Sequence, residues 1–330
     1  MPHNTILDVK HLTTKLQLGS QAYPVVDDVS FSLKKGQTLA LVGESGCGKS
    51  MTALSIMRIL PTPPALFPTG EVLYKGKNLL EISEKEMRRV RGADISMIFQ
   101  DPMSALNPVY TIGDQLMEVA NIHLQLHGNE AFDRCISALE DVGIPEPQKR
   151  IHAYPHQLSG GQKQRVMIAM ALMCEPDILI ADEPTTALDV TIQAQILDLM
   201  RSLQQKKGMA ILLITHDMGV VAQMASEVVV MYATQAVEEA ASAEIFTKMS
   251  HPYTQGLFKS LPNNRKKGER LHVIQGSVPS ISSLPTGCHF HNRCPHVMDK
   301  CKQNAVPNFH LGEDHQVKCW LYETPSKEKE

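Results

Sequence analysis

Long hydrophobic runs are missing from this 330-residue chain. It contains no window of about 18 apolar residues, the length that a membrane-spanning helix needs. The first ten residues have neither the basic segment nor the apolar segment of a secretory signal peptide. The sequence therefore predicts a cytosolic protein, whose association with a membrane depends on protein partners.

A strong excess of one charge is also missing. The chain has 32 Lys and Arg residues against 35 Asp and Glu residues, which gives a formal net charge of −3. Nucleic-acid binding requires basic residues that neutralise phosphates, so the composition does not favour a DNA or RNA partner. Hydrophobic residues make up 43% of the chain, enough for a substantial core. Because a domain commonly has about 150 residues, the length indicates two domains.

A glycine-rich loop is the first feature that points to chemistry. Residues 43–50 read GESGCGKS and fit the pattern G-x-x-x-x-G-K-[ST]. The apolar run before the loop, residues 38–42, is typical of a strand covered on both faces, and residues 51–60 are predicted to be helical. A chance glycine-rich turn would not explain these flanks. The predicted nucleotide contacts are Gly43, Glu44, Ser45, Gly46, Cys47, Gly48, Lys49, Ser50 and Met51.

Two side chains of this loop have separate predicted tasks. Backbone N–H groups at a helix N-terminus favour an anion such as phosphate. Lys49 adds a point charge between the outer phosphates of a nucleotide, and the Ser50 hydroxyl can reach Mg²⁺. The loop therefore predicts a site for a nucleoside triphosphate and its magnesium ion.

Three further apolar runs end in polar residues. Residues 95–99 lead to Gln100, residues 178–181 lead to Asp182 and Glu183, and residues 210–215 lead to His216. Ligands of an open parallel sheet bind at the carboxyl ends of its strands. We expect Asp182 and Gln100 to join Ser50 at Mg²⁺, and Glu183 to accept a proton from the attacking water. His216 alone would be an ordinary histidine, but after such a strand it is expected, like Gln100, to sense the γ-phosphate.

A second glycine-rich segment, Leu-Ser-Gly-Gly-Gln at residues 158–162, lies between the phosphate loop and the Asp-Glu pair. Its helix N-terminus offers a further anion site, which the phosphate loop of the same chain cannot reach. A simple helix cap by the serine would explain one residue and not the paired glycines. The predicted residues of this site are Ser159, Gly160, Gly161 and Gln162.

This set of motifs resembles the nucleotide-binding subunits of ATP-binding cassette (ABC) transporters. The dipeptide and oligopeptide importer branch is indicated by Gln100-Asp101-Pro102-Met103, Leu106-Asn107-Pro108, Tyr154-Pro155-His156-Gln157 and His251-Pro252-Tyr253-Thr254. The resemblance implies an α/β fold with a RecA-like core, an antiparallel β subdomain and a helical subdomain. It places the ATPase domain at residues 1–260, with the helical subdomain at about 84–157 apart from the strand that leads to Gln100.

The same resemblance assigns roles to the motif residues. Residues 43–50 become the Walker A loop, Gln100 the Q-loop residue, residues 159–162 the signature, and Asp182 with Glu183 the Walker B pair. It adds Asp189, the D-loop residue, to the nucleotide contacts and makes His216 the switch. The aromatic residue that stacks on adenine stays unassigned, because Tyr23 lies at a short offset from Lys49.

The resemblance also implies partners. In this family each ATP lies between the Walker A loop of one subunit and the signature of the other. We therefore expect a heterodimer with a sister ABC ATPase, on the cytoplasmic face of the inner membrane, below two integral-membrane permeases and served by an extracytoplasmic substrate-binding protein. The implied function is ATP hydrolysis that energises the import of short peptides.

Several alternatives stay open at this point. Nickel, glutathione, murein peptides and antimicrobial peptides are other substrates of the same branch. A soluble cassette ATPase acting on DNA or ribosomes is opposed by the single cassette and by the lack of a long coiled coil. A nucleotide-binding scaffold without activity is opposed by the intact Glu183 and His216.

Four of the seven cysteines lie in the last 45 residues, with the spacing C-x5-C-x6-C-x17-C. Disulfides are disfavoured in the cytosol, so this cluster favours a metal site. Zinc would accept four thiolates, although its usual C-x2–4-C spacing is absent. The pattern resembles the C-terminal extension of peptide-importer ATPases, some of which hold a 4Fe-4S cluster. That implies an extension at residues 261–330 with the cluster ligands Cys288, Cys294, Cys301 and Cys319. Zinc and unligated thiols are the alternatives.

Overall fold

The structure is a computed structural model, and it describes residues 4–101, 105–186, 189–260 and 273–323. Pro102 and Met103 of the importer-like stretch lie outside the described residues, as do both ends of the predicted extension. Among the helices that the structure describes, none is both long enough and apolar enough to span a bilayer.

Strands and helices are interspersed along the described residues. The strands are β1 (Thr5–Leu18), β2 (Gln21–Lys34), β3 (Thr38–Val42), β4 (Thr69–Tyr74), β5 (Lys77–Asn78), β6 (Ile95–Ile98), β7 (Ile178–Asp182), β8 (Ala210–Thr215), β9 (Glu227–Tyr232), β10 (Gln235–Ala241), β11 (Phe309–His310) and β12 (Gln316–Val317). The α-helices are α1 (Lys49–Ile56), α2 (Glu84–Ala93), α3 (Ile112–Val119), α4 (Gly128–Asp141), α5 (Pro147–Arg150), α6 (Gly160–Leu172), α7 (Val190–Lys207), α8 (Met218–Met224), α9 (Ser242–Thr247), α10 (Pro252–Lys259) and α11 (Asp299–Gln303). A π-helical turn covers Ala120–Leu124, and 3-10 turns cover Pro155–Gln157, Ile281–Ser283, His291–Arg293 and Trp320–Tyr322.

The chain divides into two compact units. The first unit consists of Met1–Ile6, Leu33–Thr38 and Glu81–Ile214, and the second unit consists of Leu7–Ser32, Leu39–Leu80 and Thr215–Glu330. Each unit combines segments that are distant in sequence.

A parallel sheet organises the first unit. Strand β7 pairs with β6 on one side and with β8 on the other, with Ile98 beside Ala181 and Asp182 beside Ile214. Its residues are buried, as expected for the strands of a parallel sheet covered on both faces. Helices α2 to α6 lie in the segment 84–172, before β7 in sequence. Asp182 is the last residue of β7, and Glu183 follows it directly.

The second unit contains two sheets. One has the strand order β2-β1-β4-β5. In the other, β3 pairs with β9 in parallel, and β9, β10, β12 and β11 follow as antiparallel neighbours. Strands β11 and β12 come from the segment 261–330 that the sequence predicts to be an extension, and this segment continues the sheet. A buried core on the same sheet includes Tyr232, Tyr253 and Phe290.

Helix α1 is shorter than the sequence predicts, because it ends at Ile56 and does not continue to Leu60. Arg58 has a φ of 52°, in the left-handed region that a right-handed helix cannot enter. Its guanidinium donates a hydrogen bond to the carbonyl of Leu79 at 3.0 Å and lies over the ring of Phe67 at 5.0 Å. Contacts with distant residues therefore accompany the end of this helix.

Candidate nucleotide site and cysteine site

The phosphate loop of the second unit joins the end of β3 to the start of α1. At Gly43, a Cβ atom would lie 2.2 Å from the carbonyl oxygen of Met231, and at Gly48 it would lie 2.6 Å from that of Val25. Real Cβ atoms do not approach backbone this closely, so these two positions require glycine. Both glycines also have positive φ angles, 150° and 107°. The neighbouring backbone thus fixes the path of the loop.

Lys49 lies at the start of α1, and only 5% of its surface is exposed. Its Nζ donates hydrogen bonds to the carbonyl oxygens of Gly43 at 2.9 Å and Glu44 at 3.1 Å. The first turn of α1 contains no acidic residue that would offset the positive end of the helix dipole. The loop therefore concentrates positive charge where an anion is expected.

Cys47 is the unusual residue inside the loop. Its thiol is buried, and burial raises its pKa. The backbone carbonyl of Cys47 accepts a hydrogen bond from the N–H of Thr234 at 2.9 Å. Cys47 therefore serves as a packing residue that ties the loop to the turn after β9.

The predicted acidic pair lies at the end of β7 in the first unit. Asp182 is 4% exposed. Glu183 has a φ of 45°, a conformation that costs a non-glycine residue about 1–3 kcal/mol, and such strain is common at functional positions. Its N–H donates to the carbonyl of Ile214 at 2.8 Å, which holds the strained residue in place.

The Glu183 carboxylate meets the predicted Q-loop residue. Its Oε2 accepts hydrogen bonds from Nε2 of Gln100 at 2.9 Å and from Oγ1 of Thr186 at 2.8 Å. The structure thus brings together Gln100 and Glu183, which are 83 residues apart in sequence. The sequence did not lead us to predict a role for Thr186. The available signal was its position three residues after Glu183, the expected base.

The signature segment starts α6 with reciprocal caps. The Oγ of Ser159 accepts from the N–H of Gln162 at 3.3 Å, and Oε1 of Gln162 accepts from the N–H of Ser159 at 3.1 Å. Ser159 is therefore a helix cap, as the simpler interpretation held. Gly161 has a separate reason, because a Cβ at this position would lie 3.0 Å from the side chain of Ile192. Asp189 is the N-cap of the next helix, α7, where its Oδ1 accepts from the N–H of Ile192 at 3.0 Å.

The other predicted site residues divide between the units. His216 follows β8 and is exposed, and it belongs to the second unit with the phosphate loop. The predicted site residues that lie in the first unit are Gln100, Ser159, Gly160, Gly161, Gln162, Asp182, Glu183 and Asp189. Tyr23, the aromatic residue near the loop in sequence, lies on β2, and its hydroxyl donates to Gln21.

The four C-terminal cysteines share one small cavity in the second unit, with His251 and Trp320 among the other lining residues. None of these cysteines forms a disulfide. Burial raises the pKa of the Cys288 and Cys319 thiols to about 11, and the neighbouring thiols add to the effect. Among the described residues, however, no group of three or more His, Cys, Asp or Glu side chains is arranged to hold a metal ion. The predicted ligands of the cluster thus share a cavity without forming a ready ligand set.

Two buried N–H donors line the same cavity. His251 accepts the N–H of Tyr253 on Nδ1 at 3.0 Å, and burial lowers the pKa of its ring to about 3, so the neutral ring carries its proton on Nε2. Neither this Nε2 nor the indole Nε1 of Trp320 has a hydrogen-bond partner among the described residues. An unsatisfied buried donor costs about 1–3 kcal/mol. Neither donor bonds a cysteine sulfur, so each could donate to an acceptor group bound in the cavity.

The class of protein follows from the two glycine-rich segments. The combination of a phosphate loop with a Ser-Gly-Gly-Gln helix start before an Asp-Glu pair is the mark of ABC ATPases. Residues 26–186 match the ABC transporter family, and residues 237–301 match the family described as the C-terminal region of oligopeptide/dipeptide transporters.

Relatives support the same class over nearly the whole chain. The dipeptide transport ATP-binding protein DppD of Bacillus subtilis is 50% identical over 316 residues, 96% of this chain and 94% of that protein. The oligopeptide transport ATP-binding protein AppD of the same organism is 46% identical over 326 residues, 99% of each chain. The dimeric post-hydrolysis structure of the ATP-binding cassette MJ0796, bound to ADP and Pi, matches with a TM-score of 0.63 and 26% identity over 72% of this chain and 98% of that chain.

The chain therefore belongs to the ATP-binding subunits of ABC transporters, in the branch with the oligopeptide/dipeptide transporter C-terminal region. It is an ATPase with the ABC fold. The family and the fold of the ATPase part that the sequence predicted are confirmed.

Proposed function

We propose that this ATPase energises the import of short peptides through a membrane complex. The observation that carries the proposal is the match of residues 237–301 to the oligopeptide/dipeptide transporter C-terminal region. The ATPase core alone would not decide the substrate, since one fold serves many functions. The names of the relatives, which refer to dipeptide and oligopeptide transport, agree with a peptide substrate.

The proposed phosphate site consists of residues 43–51, with Lys49 between the outer phosphates. Ser50, Gln100 and Asp182 would hold Mg²⁺, which neutralises charge on the β- and γ-phosphates when it is bound. The support from the phosphate loop is its fixed path and its buried lysine. The support from Asp182 is its position at the buried end of β7.

The proposed chemistry is removal of a proton from the attacking water by Glu183. A general base must lie within hydrogen-bond reach of its proton and be held in orientation. The two donors on Oε2 of Glu183, from Gln100 and Thr186, supply that orientation. His216, the residue that follows β8, is proposed to contact the γ-phosphate.

The proposed assembly is a heterodimer with a sister ATPase. The signature residues, Ser159, Gly160, Gly161 and Gln162, would contact the nucleotide of the partner, with Asp189 beside them. Two permeases and an extracytoplasmic binding protein would complete the complex on the cytoplasmic face of the inner membrane. The preformed caps of α6 support this role, since they fix a helix N-terminus that attracts anions.

Co-purification and uptake test the proposed function. A tagged copy in the native strain is expected to bring down a sister ATPase and two permeases. Cells carrying the chain are expected to take up labelled di- and oligopeptides, and cells lacking it are not. Uptake of nickel or glutathione, and not of peptides, would show that the transporter carries another substrate of the same branch. A fully active homodimer without permeases would contradict transport.

We also propose that residues 1–260 are the ATPase domain and that residues 261–330 are an extension holding a 4Fe-4S cluster. Its ligands would be Cys288, Cys294, Cys301 and Cys319, and the cluster would cross-link the extension. The shared cavity and the buried donors of His251 and Trp320 support this proposal. Zinc and metal-free thiols are the competing states.

Anaerobic purification distinguishes these states. We expect brown protein with about four iron atoms and four acid-labile sulfides per chain, as this cluster type requires. Cys294→Ser is expected to bleach the protein. The matched control is Cys174→Ser, because Cys174 is a free thiol that does not line the cavity. Colourless protein with stoichiometric zinc would show that the cysteines bind zinc and not a cluster. Metal-free protein with an ordered extension would show that the cysteines are packing residues.

A further inference from the structure

An arginine of the C-terminal extension reaches the phosphate loop. Nη1 of Arg293 lies 3.1 Å from Oε2 of Glu44, the second residue of the loop, across 249 positions of sequence. The side chain of Arg293 is 6% exposed and that of Glu44 is 27% exposed. The pair is therefore much better shielded from water than a surface ion pair, and its charges compensate each other.

The guanidinium of Arg293 is held by several acceptors. Nε donates to the carbonyl of Gln275 at 3.0 Å, Nη2 donates to the carbonyl of Ile274 at 3.3 Å, and Nη1 also contacts the hydroxyl of Tyr232 at 3.4 Å. Each guanidinium nitrogen thus has an acceptor, which fixes the direction of this rigid donor fork. Glu44 is the one carboxylate among these acceptors, so it meets a cation that is already in place.

A second contact holds the backbone of the same loop residue. The N–H of Glu44 donates to the hydroxyl of Tyr253 at 2.8 Å. The ring of Tyr253 packs against Tyr232, with centroids 4.6 Å apart, and against Phe290 of the extension, with centroids 5.5 Å apart. Burial raises the pKa of Tyr253, so its hydroxyl stays neutral. Glu44 is therefore fixed through both its side chain and its backbone.

Charge gives this arrangement a consequence for ATP. The loop gathers backbone donors and Lys49 for an anion, yet Glu44 places a carboxylate in the same loop. Like charges that are partly shielded from water repel each other appreciably. We propose that Arg293 is a positioning residue for ATP binding, which neutralises and fixes Glu44 and so makes the extension part of the nucleotide site. This inference rests on the proposed role of residues 43–51 as the phosphate site.

The competing explanation is that Arg293 only anchors the segment at Ile274 and Gln275. The two explanations differ in how the two residues are coupled. If Arg293 neutralises Glu44, Arg293→Gln weakens ATP binding only while the Glu44 carboxylate is present, and the loss largely disappears in the Glu44→Gln background. If Arg293 is only an anchor, Arg293→Gln causes the same loss with or without that carboxylate.

The test is the Kd of a fluorescent ATP analogue with Mg²⁺, measured on the full-length chain after thermal unfolding confirms that each variant folds. Arg293→Gln is expected to weaken binding about tenfold, a usual size for coupling between linked groups. Glu44→Gln is expected to tighten it, and the double variant is expected to regain most of the loss. Both single effects should shrink in high salt, because charge interactions are screened.

Two further variants complete the design. Arg293→Lys keeps the charge without the fork and is expected to bind ATP more tightly than Arg293→Gln. Lys318→Gln is the matched control, because Lys318 is another shielded cation of the extension, 11% exposed, whose ion pair at 3.4 Å is with Asp28 of β2. It is expected to bind ATP like the parent.

The outcomes separate this inference from the proposed site. Parental affinity in Arg293→Gln, weaker binding in Glu44→Gln, or no recovery in the double variant would each reduce Arg293 to an anchor. If Arg293→Gln does not fold, Arg293→Lys takes its place, measured alone and combined with Glu44→Gln. Lys49→Ala serves as the reference: if it binds ATP like the parent, the phosphate site itself is wrong, and if it alone loses binding, only the role of Arg293 fails.

Discussion

Replacing Glu183 with glutamine is expected to slow ATP hydrolysis about 100-fold or more and to leave ATP binding intact. Glutamine has nearly the same size and keeps an oxygen that can accept from Gln100 and Thr186, so the local structure is retained. What it loses is the basicity needed to take a proton from water. Hydrolysis by the purified complex and the Kd of nucleotide are the two measurements.

The control for this prediction is Glu175→Gln. Glu175 belongs to the same unit and lies before the start of β7, at the opposite end of that strand from Glu183; its side chain is 65% exposed and pairs with Lys207 at 3.1 Å. Glu175→Gln should hydrolyse ATP at the parental rate, because the loss of a solvent-exposed carboxylate far from the expected base changes little at the site. Near-parental hydrolysis in Glu183→Gln would show that another group is the base.

Lys49→Ala is expected to weaken nucleotide binding itself, by roughly ten- to a hundredfold. A hydrogen bond to a charged group contributes about 1.5–3 kcal/mol, and the Lys49 ammonium is the charge that the loop holds in place. Alanine keeps the helix but removes both the charge and the bonds to Gly43 and Glu44. Calorimetric titration with ATP and Mg²⁺ measures the loss.

Lys248→Ala is a suitable control for Lys49→Ala. Lys248 is exposed and pairs with Glu244 one helical turn before it, in the same unit as the loop. Its loss should not change the Kd. Together, the variants at Lys49 and Glu183 separate binding from chemistry, because one loses affinity and the other keeps it. Parental affinity in Lys49→Ala would remove this lysine from the site.

The local parts of the fold were predictable from the sequence because they depend on near neighbours. Continuous apolar runs marked the strands Thr38–Val42, Ile178–Asp182 and Ala210–Thr215, which are buried on both faces. The pattern Ser-Gly-Gly-Gln marked the start of α6. In each case the deciding residues lie within one element.

The end of α1 shows where this kind of prediction fails. No glycine or proline stands at residues 57–60, so the sequence favours a longer helix. Arg58 nevertheless takes a left-handed conformation and contacts Phe67 and Leu79. Tertiary contacts override local propensity here, and the sequence alone does not contain their geometry.

The candidate site was predictable to a similar extent. The motifs indicated Glu183 and Gln100 separately, and the hydrogen bond between them agrees with their expected proximity. The contacts of Glu44 with Tyr253 and Arg293 span 209 and 249 positions. Both partners lie in stretches that resemble the importer branch, but only a structure could connect them to the phosphate loop.

The buried aromatic group of Tyr232, Tyr253 and Phe290 bears on how such transporters can be recombined. Two of its rings come from before residue 260 and one comes from the extension, and all three are almost completely buried. Cutting the chain at the predicted domain border would expose the first two rings to water. A chimera between two transporters should therefore exchange the extension together with the strands and helices from Glu227 onward, and it should carry over the matching residue at position 44. The segment that must be exchanged as one piece is thus larger than the cysteine-containing segment.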